Sequence, residues 1–311
     1  MAAGPRLVVI GSANMDLVVR TERIPSPGET ILGGAFVMAP GGKGANQAVA
    51  AARLGGQVRF VGRIGADPFG DALLAQMLAA GIETEHVIRD PEQPTGVALI
   101  GVDAQGQNAI MVAPGANSRV SPADVDAARA SIRAAAGVVI QLEIPRETVL
   151  HAVAVARAEG TRVILNPAPI RHTNPLSNDL LRQVDVLTPN EHEAANLLGH
   201  AEPEGLDWEQ AATELQARGI PNVVITLGSE GCVVASRAGI QRLPAVPVTA
   251  IDTTAAGDCF TGALAVALAE GADLLPAARF ATRAAALSVT GLGAQPSLPS
   301  RAAVGDIALN S

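Results

Sequence analysis

The chain has 311 residues, 48% of them hydrophobic and 17% charged, which is enough for one large domain or two small ones with sizeable cores. Its formal net charge of −8 and the lack of any Lys/Arg run argue against a nucleic-acid partner, because phosphate binding needs clustered positive charge. With one Trp, five Phe and no Tyr, the chain also has too few aromatic side chains to stack on single strands.

The cysteine content and the apolar runs indicate the cellular setting. The two cysteines, Cys232 and Cys259, show no CxxC spacing, which predicts neither a disulfide framework nor a zinc site. No apolar run approaches the roughly 20 residues of a membrane span, and the first apolar stretch is too short for a signal peptide. We therefore expect a soluble, cytoplasmic protein with no membrane partner. Both cysteines are expected to be small residues of the hydrophobic core.

Short β-branched runs alternate with helix-patterned segments along most of the chain. The runs predict strands at residues 7–10, 58–61, 138–142, 163–165, 184–187, 223–227 and 246–251. Such alternation is typical of a doubly wound α/β domain, whose mostly parallel central sheet is flanked by helices on both faces.

Helix starts and stops are marked by local chemistry. Asp67 precedes a proline, Ser121 is followed three residues later by Asp124, and Asn190 is followed by Glu193 in the same spacing, all of which predict N-caps. Glycines that end periodic stretches predict left-handed C-caps. These are Gly55, Gly81, Gly160, Gly199, Gly219 and Gly271.

Two segments, 16–38 and 97–112, leave no room for a helix between extended runs. In the second segment, the turn-forming residues 103–106 separate two β-prone runs and predict a hairpin. We expect the two segments to form a small β-sheet subdomain at the edge of the main sheet. No linker or repeat divides the chain, which predicts one domain over residues 1–311.

Polar residues follow several predicted strands, where ligands bind in open α/β sheets. Asn14 and Asp16 come after the first strand, although an Asx turn explains them equally well. Glu143 and Asn166 occupy similar positions after later strands.

A glycine-rich turn at residues 41–46 precedes an alanine-rich helix. Its glycines allow close approach of a ligand to the backbone, while Lys43 and Asn46 add a charge and a hydrogen-bonding amide. The spacing is not that of a Walker P-loop. A tight turn kept for packing is the alternative, and the lysine within the turn favours a functional role.

The segment 252–258 opens a helix with small residues and a carboxylate. The small residues at its start expose backbone N–H groups that can hold an oxyanion or a transferring phosphoryl group at the helix N-terminus, and Asp258 lies one turn in. Asp258 is also explained as a cap that matches the helix dipole. Beside a bound phosphate, it would suit the role of general base.

Asn190 and Glu193 have a complete structural explanation as a capping box. A metal or phosphate role for either residue therefore needs support from outside the motif.

Taken together, these motifs resemble those of the ribokinase-like carbohydrate kinase family over nearly the whole chain. The two main motifs are the Gly-Gly turn at residues 41–46 and the Asp-Thr-x-x-Gly-Asp motif at 252–258. Four further matches are Asn14-x-Asp16, the Asn-Pro-Ala-Pro run at 166–169, Asn190-x-x-Glu193 and Thr226-x-Gly228-x-x-Gly231.

The resemblance implies transfer of the γ-phosphoryl of ATP to the 5-hydroxyl of D-ribose, with Asp258 as general base. It also implies that the N–H groups of Ala255, Ala256 and Gly257 form the anion hole. It implies that the sugar is held by Asn14, Asp16, Gly42, Lys43, Asn46, Glu143 and Asp258. It implies a nucleotide site at Asn190, Thr226, Gly228, Ser229, Gly231, Gly257 and Thr282. Magnesium would be oriented by Asn190 and Glu193, through water, because this ion keeps most of its waters.

The resemblance also implies a monovalent cation, usually potassium, bound by an oxygen-rich set. This set comprises Asp252, Thr254, Ser288, Gly291, Gly293 and Ser297. The small β subdomain would be a lid that closes over the sugar and pairs two subunits in a homodimer. Two residues depart from the family pattern: Cys259 stands where Ser or Thr is usual, and Thr282 stands where Asn is usual. These departures put the adenine contacts in doubt.

Several alternatives stay open at this point. The acceptor could be 2-deoxyribose, a nucleoside or another pentose or hexose, although Asn14 and Asp16 offer partners for secondary hydroxyls. A sugar sensor without turnover would keep the fold, but it has no need of Asp258. A dinucleotide-binding oxidoreductase is disfavoured because no GxGxxG follows the first strand.

Overall fold

A computed structural model describes residues 4–306, which form a nine-stranded sheet covered by helices and a separate four-stranded sheet. The strands in chain order are β1 (Arg6–Ile10), β2 (Asn14–Arg20), β3 (Phe36–Gly41), β4 (Gln57–Gly65), β5 (Glu83–Asp90), β6 (Gly96–Val102), β7 (Asn108–Ala113), β8 (Gly137–Ile140), β9 (Arg162–Leu165), β10 (Val186–Leu187), β11 (Asn222–Thr226), β12 (Cys232–Ser236) and β13 (Gly239–Leu243).

The helices lie mostly between strands of the large sheet. They are α1 (Lys43–Arg53), α2 (Pro68–Ala79), α3 (Pro122–Ala127), α4 (Arg129–Arg133), α5 (Arg146–Ala158), α6 (Asn178–Leu181), α7 (Glu191–Leu198), α8 (Trp208–Ala217), α9 (Ala256–Ala269), α10 (Leu274–Ser288), α11 (Ala294–Ser297) and α12 (Arg301–Val304). Among residues 4–306, no helix combines the length and the apolarity needed to cross a membrane.

The order of the large sheet is β13-β12-β11-β10-β9-β8-β1-β4-β5. All neighbours from β11 through β5 are parallel, and only β12, which pairs with β11 and β13, runs in the opposite direction. The chain leaves β1 toward β4 and β5 on one side and returns to β8 on the other. This reversal opens a crevice at the carboxyl ends of β1 and β8, where open α/β sheets bind ligands.

Both faces of the large sheet are buried, as the predicted α/β architecture requires. Alternate residues of β1 enter different cores: Leu7 and Val9 join one hydrophobic cluster, and Val8 and Ile10 join the other. The first cluster includes side chains of α1, α2, α9 and α10, and the second includes side chains of α3, α5, α7 and α8. Cys232 and Cys259 are buried free cysteines, as predicted.

Helices α1 and α9 approach each other closely at Gly262, in the second turn of α9. A Cβ added to Gly262 of α9 would lie 2.7 Å from the carbonyl oxygen of Gln47 and 2.8 Å from the Cβ of Ala50, both on α1. Only glycine therefore fits this crossing without displacing one helix.

Six of the predicted strands are present, but the seventh is wrong. The segment 246–251 is extended without pairing, because Pro244 and Pro247 lack the N–H groups that a ladder needs. The predicted strand at 184–187 is shortened to Val186–Leu187, since the backbone N–H of Val184 closes a turn onto Leu181 O at 3.1 Å. Strands β5, β12 and β13 were not predicted.

The predicted helix signals are confirmed. Asp67 Oδ1 accepts a hydrogen bond from Gly70 N at 2.8 Å, and capping boxes are formed by Ser121 with Asp124 and by Asn190 with Glu193. All six glycines predicted to end helices have positive φ.

The small sheet has the order β3-β2-β6-β7 and is built from the two segments predicted to be extended. Strands β6 and β7 form the predicted hairpin, and Asp103 Oδ1 stabilises its turn by accepting hydrogen bonds from Gln105 N at 2.9 Å and Gln107 N at 2.8 Å. Asn14 and Asp16 thus lie in strand β2 rather than in an Asx turn.

Candidate active site

Two adjoining cavities lie at the carboxyl ends of the large sheet. One, of about 160 Å³, is lined mostly by polar groups and by the first turn of α9, and the other, of about 420 Å³, is lined mostly by apolar side chains. The cavities share Thr226, Thr253, Ala256 and Gly257. The N-terminus of α9 therefore stands at the junction between a polar and an apolar compartment.

Asp258 lies at this junction, on the first turn of α9, with 7% of its surface exposed. Its Oδ2 accepts a hydrogen bond from Asn46 Nδ2, and its Oδ1 accepts one from Gln47 Nε2, both at 2.9 Å. Both donors come from the first turn of α1. The carboxylate is thus held in place by side chains and lines the polar cavity.

The backbone before Asp258 has an unusual conformation. Ala255 has φ 61°, and it is the one residue other than glycine with positive φ between residues 4 and 306. Such a conformation costs an alanine about 1–2 kcal/mol and is kept where a site needs it. The N–H of Ala256 donates to Thr253 O at 3.2 Å, so the N–H groups of the predicted anion hole are not all free in this structure.

Gly257 leaves open space beside these N–H groups. A Cβ added to Gly257 would meet no heavy atom within 4 Å. The glycine is therefore not required by packing, and the space in front of it belongs to the polar cavity.

The predicted sugar residues lie together around three carboxylates and a lysine. Burial, with the negative charges of Glu143 and Asp258, raises the pKa of Asp16 to about 7. Burial lowers the pKa of Lys43, but Asp258, Glu143 and Glu193 outweigh it and raise that pKa above its usual value. The site therefore collects negative charge around one ammonium group.

The glycines of the 41–46 turn permit close packing in this cluster. A Cβ added to Gly41 would lie 2.1 Å from Asp16 Oδ2. Gly42 has φ 86°, and its added Cβ would lie 2.7 Å from Asn14 N. Together they bring the turn against the beginning of β2.

Glu143 connects three elements. Its Oε2 accepts hydrogen bonds from Ser12 Oγ at 2.6 Å and from Lys43 N at 3.1 Å, so it joins the loop after β1 to the N-terminus of α1. Sequence reasoning did not identify Ser12 as part of this site.

Asn14 is oriented by a residue that the sequence did not reveal. Asn117 is 1% exposed; its Nδ2 donates to Asn14 Oδ1 at 2.7 Å, and its Oδ1 accepts from Ala13 N at 2.9 Å. No local motif marks Asn117, because its partners are about a hundred positions away in the chain.

Asn190 and Glu193 line the polar cavity while capping each other. Asn190 N donates to Glu193 Oε2 at 2.9 Å, and Glu193 N donates to Asn190 Oδ1 at 2.8 Å. Burial raises the pKa of Glu193. The capping bonds engage one carboxylate oxygen of Glu193 and leave the other available.

The apolar cavity contains the predicted nucleotide residues Thr226, Gly228, Ser229, Gly231, Gly257 and Thr282. The unpaired segment 246–251 supplies several of the apolar walls. Thr282 Oγ1 donates to Ala278 O of its own helix at 2.9 Å, so its single proton is already used.

Asp252 joins the two segments predicted to hold a monovalent cation. Its Oδ1 accepts from Thr254 N at 2.9 Å and from Thr254 Oγ1 at 2.6 Å, and its Oδ2 accepts from Gly293 N at 2.9 Å. These bonds outweigh burial and lower the pKa of Asp252. Ser288 and Ser297 direct their hydroxyl protons onto backbone carbonyls, which leaves oxygen lone pairs for a ligand.

The structure thus places Lys43, Asp258 and the predicted nucleotide and magnesium residues around two adjoining cavities. The other predicted sugar residues and the predicted cation residues lie outside the lining of these cavities. Residues that sequence reasoning missed form the supporting shell of the site. They are Ser12, Gln47, Asn117, Gln141 and Gln295.

A sequence profile of the pfkB family of carbohydrate kinases matches residues 5–301, and the chain belongs to that family. It is 43% identical over 295 residues to the ribokinase of Bacillus subtilis (strain 168), covering 95% of this chain and 96% of the relative. It is 38% identical over 294 residues to the deoxyribokinase of Salmonella typhimurium (strain LT2), covering 94% and 95%. The structure of Arabidopsis thaliana ribokinase complexed with ribose and ATP matches with a TM-score of 0.86 at 36% identity, covering 97% of each chain.

Proposed function

We propose that this protein transfers the γ-phosphoryl group of ATP to the 5-hydroxyl of D-ribose and yields ribose 5-phosphate and ADP. The observation that carries the proposal is the buried Asp258 carboxylate, held by Asn46 and Gln47 beside the N-terminus of α9. Full-length similarity to ribokinases supports ribose and ATP as the substrates.

The sugar would bind on the side of Asp258 that faces β2 and the 41–46 turn. Asp16 is nearly buried, and within residues 4–306 its carboxylate receives no side-chain hydrogen bond. Two sugar hydroxyls would supply the missing donors, while Asn14, Lys43, Asn46 and Glu143 would pair with the rest. Such pairing discriminates among sugars because a wrong sugar leaves buried polar groups unsatisfied.

In the reaction, the 5-hydroxyl oxygen attacks the γ-phosphorus and its proton passes to the carboxylate of Asp258. The bond between the γ-phosphorus and the bridging oxygen breaks, and ADP leaves with that electron pair. The N–H groups of Ala255, Ala256 and Gly257 would stabilise the charge on the transferring group. Adenine would occupy the apolar cavity, and the phosphates would extend to the junction of the two cavities.

The residues around Glu193 fit a hydrated magnesium ion. Glu193 retains one carboxylate oxygen after capping, and Asn190 lies beside it in the polar cavity. Magnesium bound there through water would neutralise charge on the ATP phosphates.

The residues around Asp252 fit a monovalent cation, for which we propose potassium. The donor set consists of a carboxylate, hydroxyls and backbone carbonyls, all of them oxygen ligands that suit a hard cation. A cation there would lie next to the backbone of Thr254 and so support the strained turn at Ala255.

The experiment that tests the proposal measures ADP formation with ATP and magnesium, using ribose, 2-deoxyribose, fructose and adenosine, with and without potassium. Ribose-dependent ADP formation that potassium stimulates would support the substrate and the cation together. A preference for 2-deoxyribose would replace the acceptor, and the 38% identity to a deoxyribokinase makes this sugar the main rival. Binding of ribose without ADP formation would indicate a sensor.

We also propose that the small sheet is a lid and that two copies of the chain pair through it. Val37, Val18, Ile100 and Ile110 are paired across all four strands, and by strand alternation they lie on the face that carries Asp16. Val37 is 50% and Ile110 53% exposed. A second copy covering this apolar row would shield the sugar side of the cleft from water.

Ile110→Glu is expected to convert the dimer to a monomer, because it places a charge in the centre of this apolar row. Light scattering after size-exclusion chromatography measures the mass. The matched control is Leu78→Glu, which adds the same charge at a 56% exposed leucine on α2 and should leave the mass unchanged. A parent protein that is already monomeric would refute the pairing.

Asp16→Asn is expected to stabilise the free protein above pH 7. The pKa of Asp16 is raised to about 7 in the folded chain, so the folded state binds the proton more tightly than the unfolded state. Stability should therefore fall as pH rises from about 4 to 7, and the variant should lack that fall, gaining roughly 1–3 kcal/mol in unfolding free energy at pH 8.

Urea unfolding at pH 5 and pH 8 measures this effect. Asp179→Asn is the control, because that side chain is 89% exposed. Parallel pH profiles for the parent and Asp16→Asn would contradict the burial of an unpaired carboxyl.

A further inference from the structure

Two buried glutamines donate hydrogen bonds to Asn46 and Gln47, the residues that hold Asp258. Gln141 is 0% and Gln295 1% exposed, and we call them the outer glutamines. Gln141 Nε2 donates to Gln47 Oε1 at 2.6 Å, and Gln295 Nε2 donates to Asn46 Oδ1 at 3.2 Å. Each outer glutamine therefore directs its amide donor at the oxygen of an amide that touches Asp258.

These contacts decide whether the nitrogen or the oxygen of the Asn46 and Gln47 side-chain amides faces Asp258. We call these two amides the inner amides. An amide has one accepting oxygen and one donating nitrogen. When the oxygen of Gln47 is engaged by Gln141, its nitrogen turns toward Asp258 Oδ1 and also reaches Asn166 Oδ1 at 3.0 Å. The same logic turns the nitrogen of Asn46 toward Asp258 Oδ2. If an inner amide reversed, it would place an oxygen against the carboxylate.

Each outer glutamine leaves its own side-chain oxygen without a hydrogen bond in this arrangement. Gln141 Oε1 and Gln295 Oε1 are buried and make no hydrogen bond, and within residues 4–306 they are two of the three buried side-chain atoms of this kind. A buried acceptor without a donor is unfavourable. Such costs persist in folded proteins where function requires them.

Neither outer glutamine is free to move away from its partner. A Cβ added to Gly11 would lie 2.0 Å from Gln141 Oε1, so the Gln141 amide is pressed against the backbone after β1. Arg53 Nη1 donates to Gln295 O at 2.7 Å and to Leu298 O at 2.8 Å, which ties α11 to the last turn of α1. The fold thus fixes both glutamines relative to the helix that carries Asn46 and Gln47.

We propose that Gln141 and Gln295 are positioning residues for the proton acceptor, acting through Gln47 and Asn46. The inference rests on the proposed function, since it assumes that Asp258 accepts the sugar proton. Two oriented N–H donors fix the plane of the carboxylate. The outer glutamines thereby keep Asp258 aligned and ready to accept a proton.

The test uses Gln141→Met and Gln295→Met, which retain volume and remove the amide. We expect kcat for sugar-dependent ADP formation to fall about tenfold or more, because small misplacements of a reacting group are costly. The KM for the sugar should change less than kcat. The melting temperature should stay close to that of the parent, because each variant removes one unpaired buried acceptor and leaves its partner amide oxygen unpaired instead. Gln210→Met, at an exposed glutamine on α8, is the control and should change neither kcat nor KM.

A double-variant cycle separates positioning from general packing. In a Gln47→Met background, Gln141→Met should cause no further loss of kcat, since its only route to Asp258 has been removed. If a methionine variant does not fold, Gln141→Leu provides the same test. Leucine also fills the site and offers no donor to Gln47 Oε1, so kcat should fall as before.

A kcat within twofold of the parent for both single variants, or additive losses in the cycle, would overturn the assignment. Failure of the proposed function is distinguished from this outcome by the parent protein. A parent that forms no ADP with any sugar refutes the function, whereas an active parent whose variants match it refutes only the role of the outer glutamines.

Discussion

Asp258→Asn is expected to lower kcat for ribose-dependent ADP formation by roughly 10²–10⁴-fold, the usual contribution of a general base. The amide cannot accept the 5-hydroxyl proton. It also brings an N–H donor to a position where Asn46 and Gln47 already donate, so part of the hydrogen-bonded support is lost. Nucleotide binding should stay close to that of the parent, because adenine would occupy the other cavity.

A coupled assay for ADP gives kcat, and calorimetry with ADP gives the affinity. Asp179→Asn, the same change at an exposed side chain, should leave both unchanged. Full turnover in the Asp258 variant would remove this residue from the role of base and leave the site without an identified proton acceptor.

Gly257→Ala should lower kcat by roughly 10²–10³-fold, comparable to the loss of one oxyanion-hole donor. The added methyl group would enter the space beside the N-terminus of α9, where the transferring phosphoryl group is expected. Because a Cβ at Gly257 meets no atom of the protein within 4 Å, the folded state should not be strained. The melting temperature should stay the same or rise slightly, since alanine favours helices over glycine.

Gly137→Ala provides a matched comparison at the opposite end of the sheet. Its added Cβ would make ordinary contacts, the nearest at 3.5 Å from Leu7 Cδ2, and it lies at the start of β8. This variant should retain kcat. If Gly257→Ala were as active as Gly137→Ala, the phosphoryl group would not pass in front of Gly257.

Much of the architecture follows from local patterns that act over a few residues. The buried strands are short apolar runs, and the helix starts at Asp67, Ser121 and Asn190 are set by side chains that reach only three positions along the chain. The strand-end rule then brings Glu143 and Asn166 to one edge of the sheet. The proposed role of Asp258 as base rests on the family resemblance, since its position alone is equally consistent with a helix cap.

The supporting shell could not be predicted because its contacts are long-range and chemically ordinary. Gln295 contacts Asn46 across 249 positions, and Gln141 contacts Gln47 across 94. A glutamine within an apolar stretch carries no signal of such a partner. The error at 246–251 has a different cause: the β-branched residues are suitable for a strand, but prolines remove the donors and the residues line a cavity instead.

The crossing at Gly262 determines which parts of the protein can move. Because Gly262 of α9 lies directly against Gln47 and Ala50 of α1, we expect the two helices to move as a rigid body. Asn46 and Asp258 then keep the same separation whether or not a sugar is present. If the small sheet closes as a lid, as proposed, its hinge is expected where the chain enters that sheet, whose strand β2 carries Asp16. Each incoming sugar would thus meet a proton acceptor that is already in place, and closure of the small sheet would serve only to enclose the sugar.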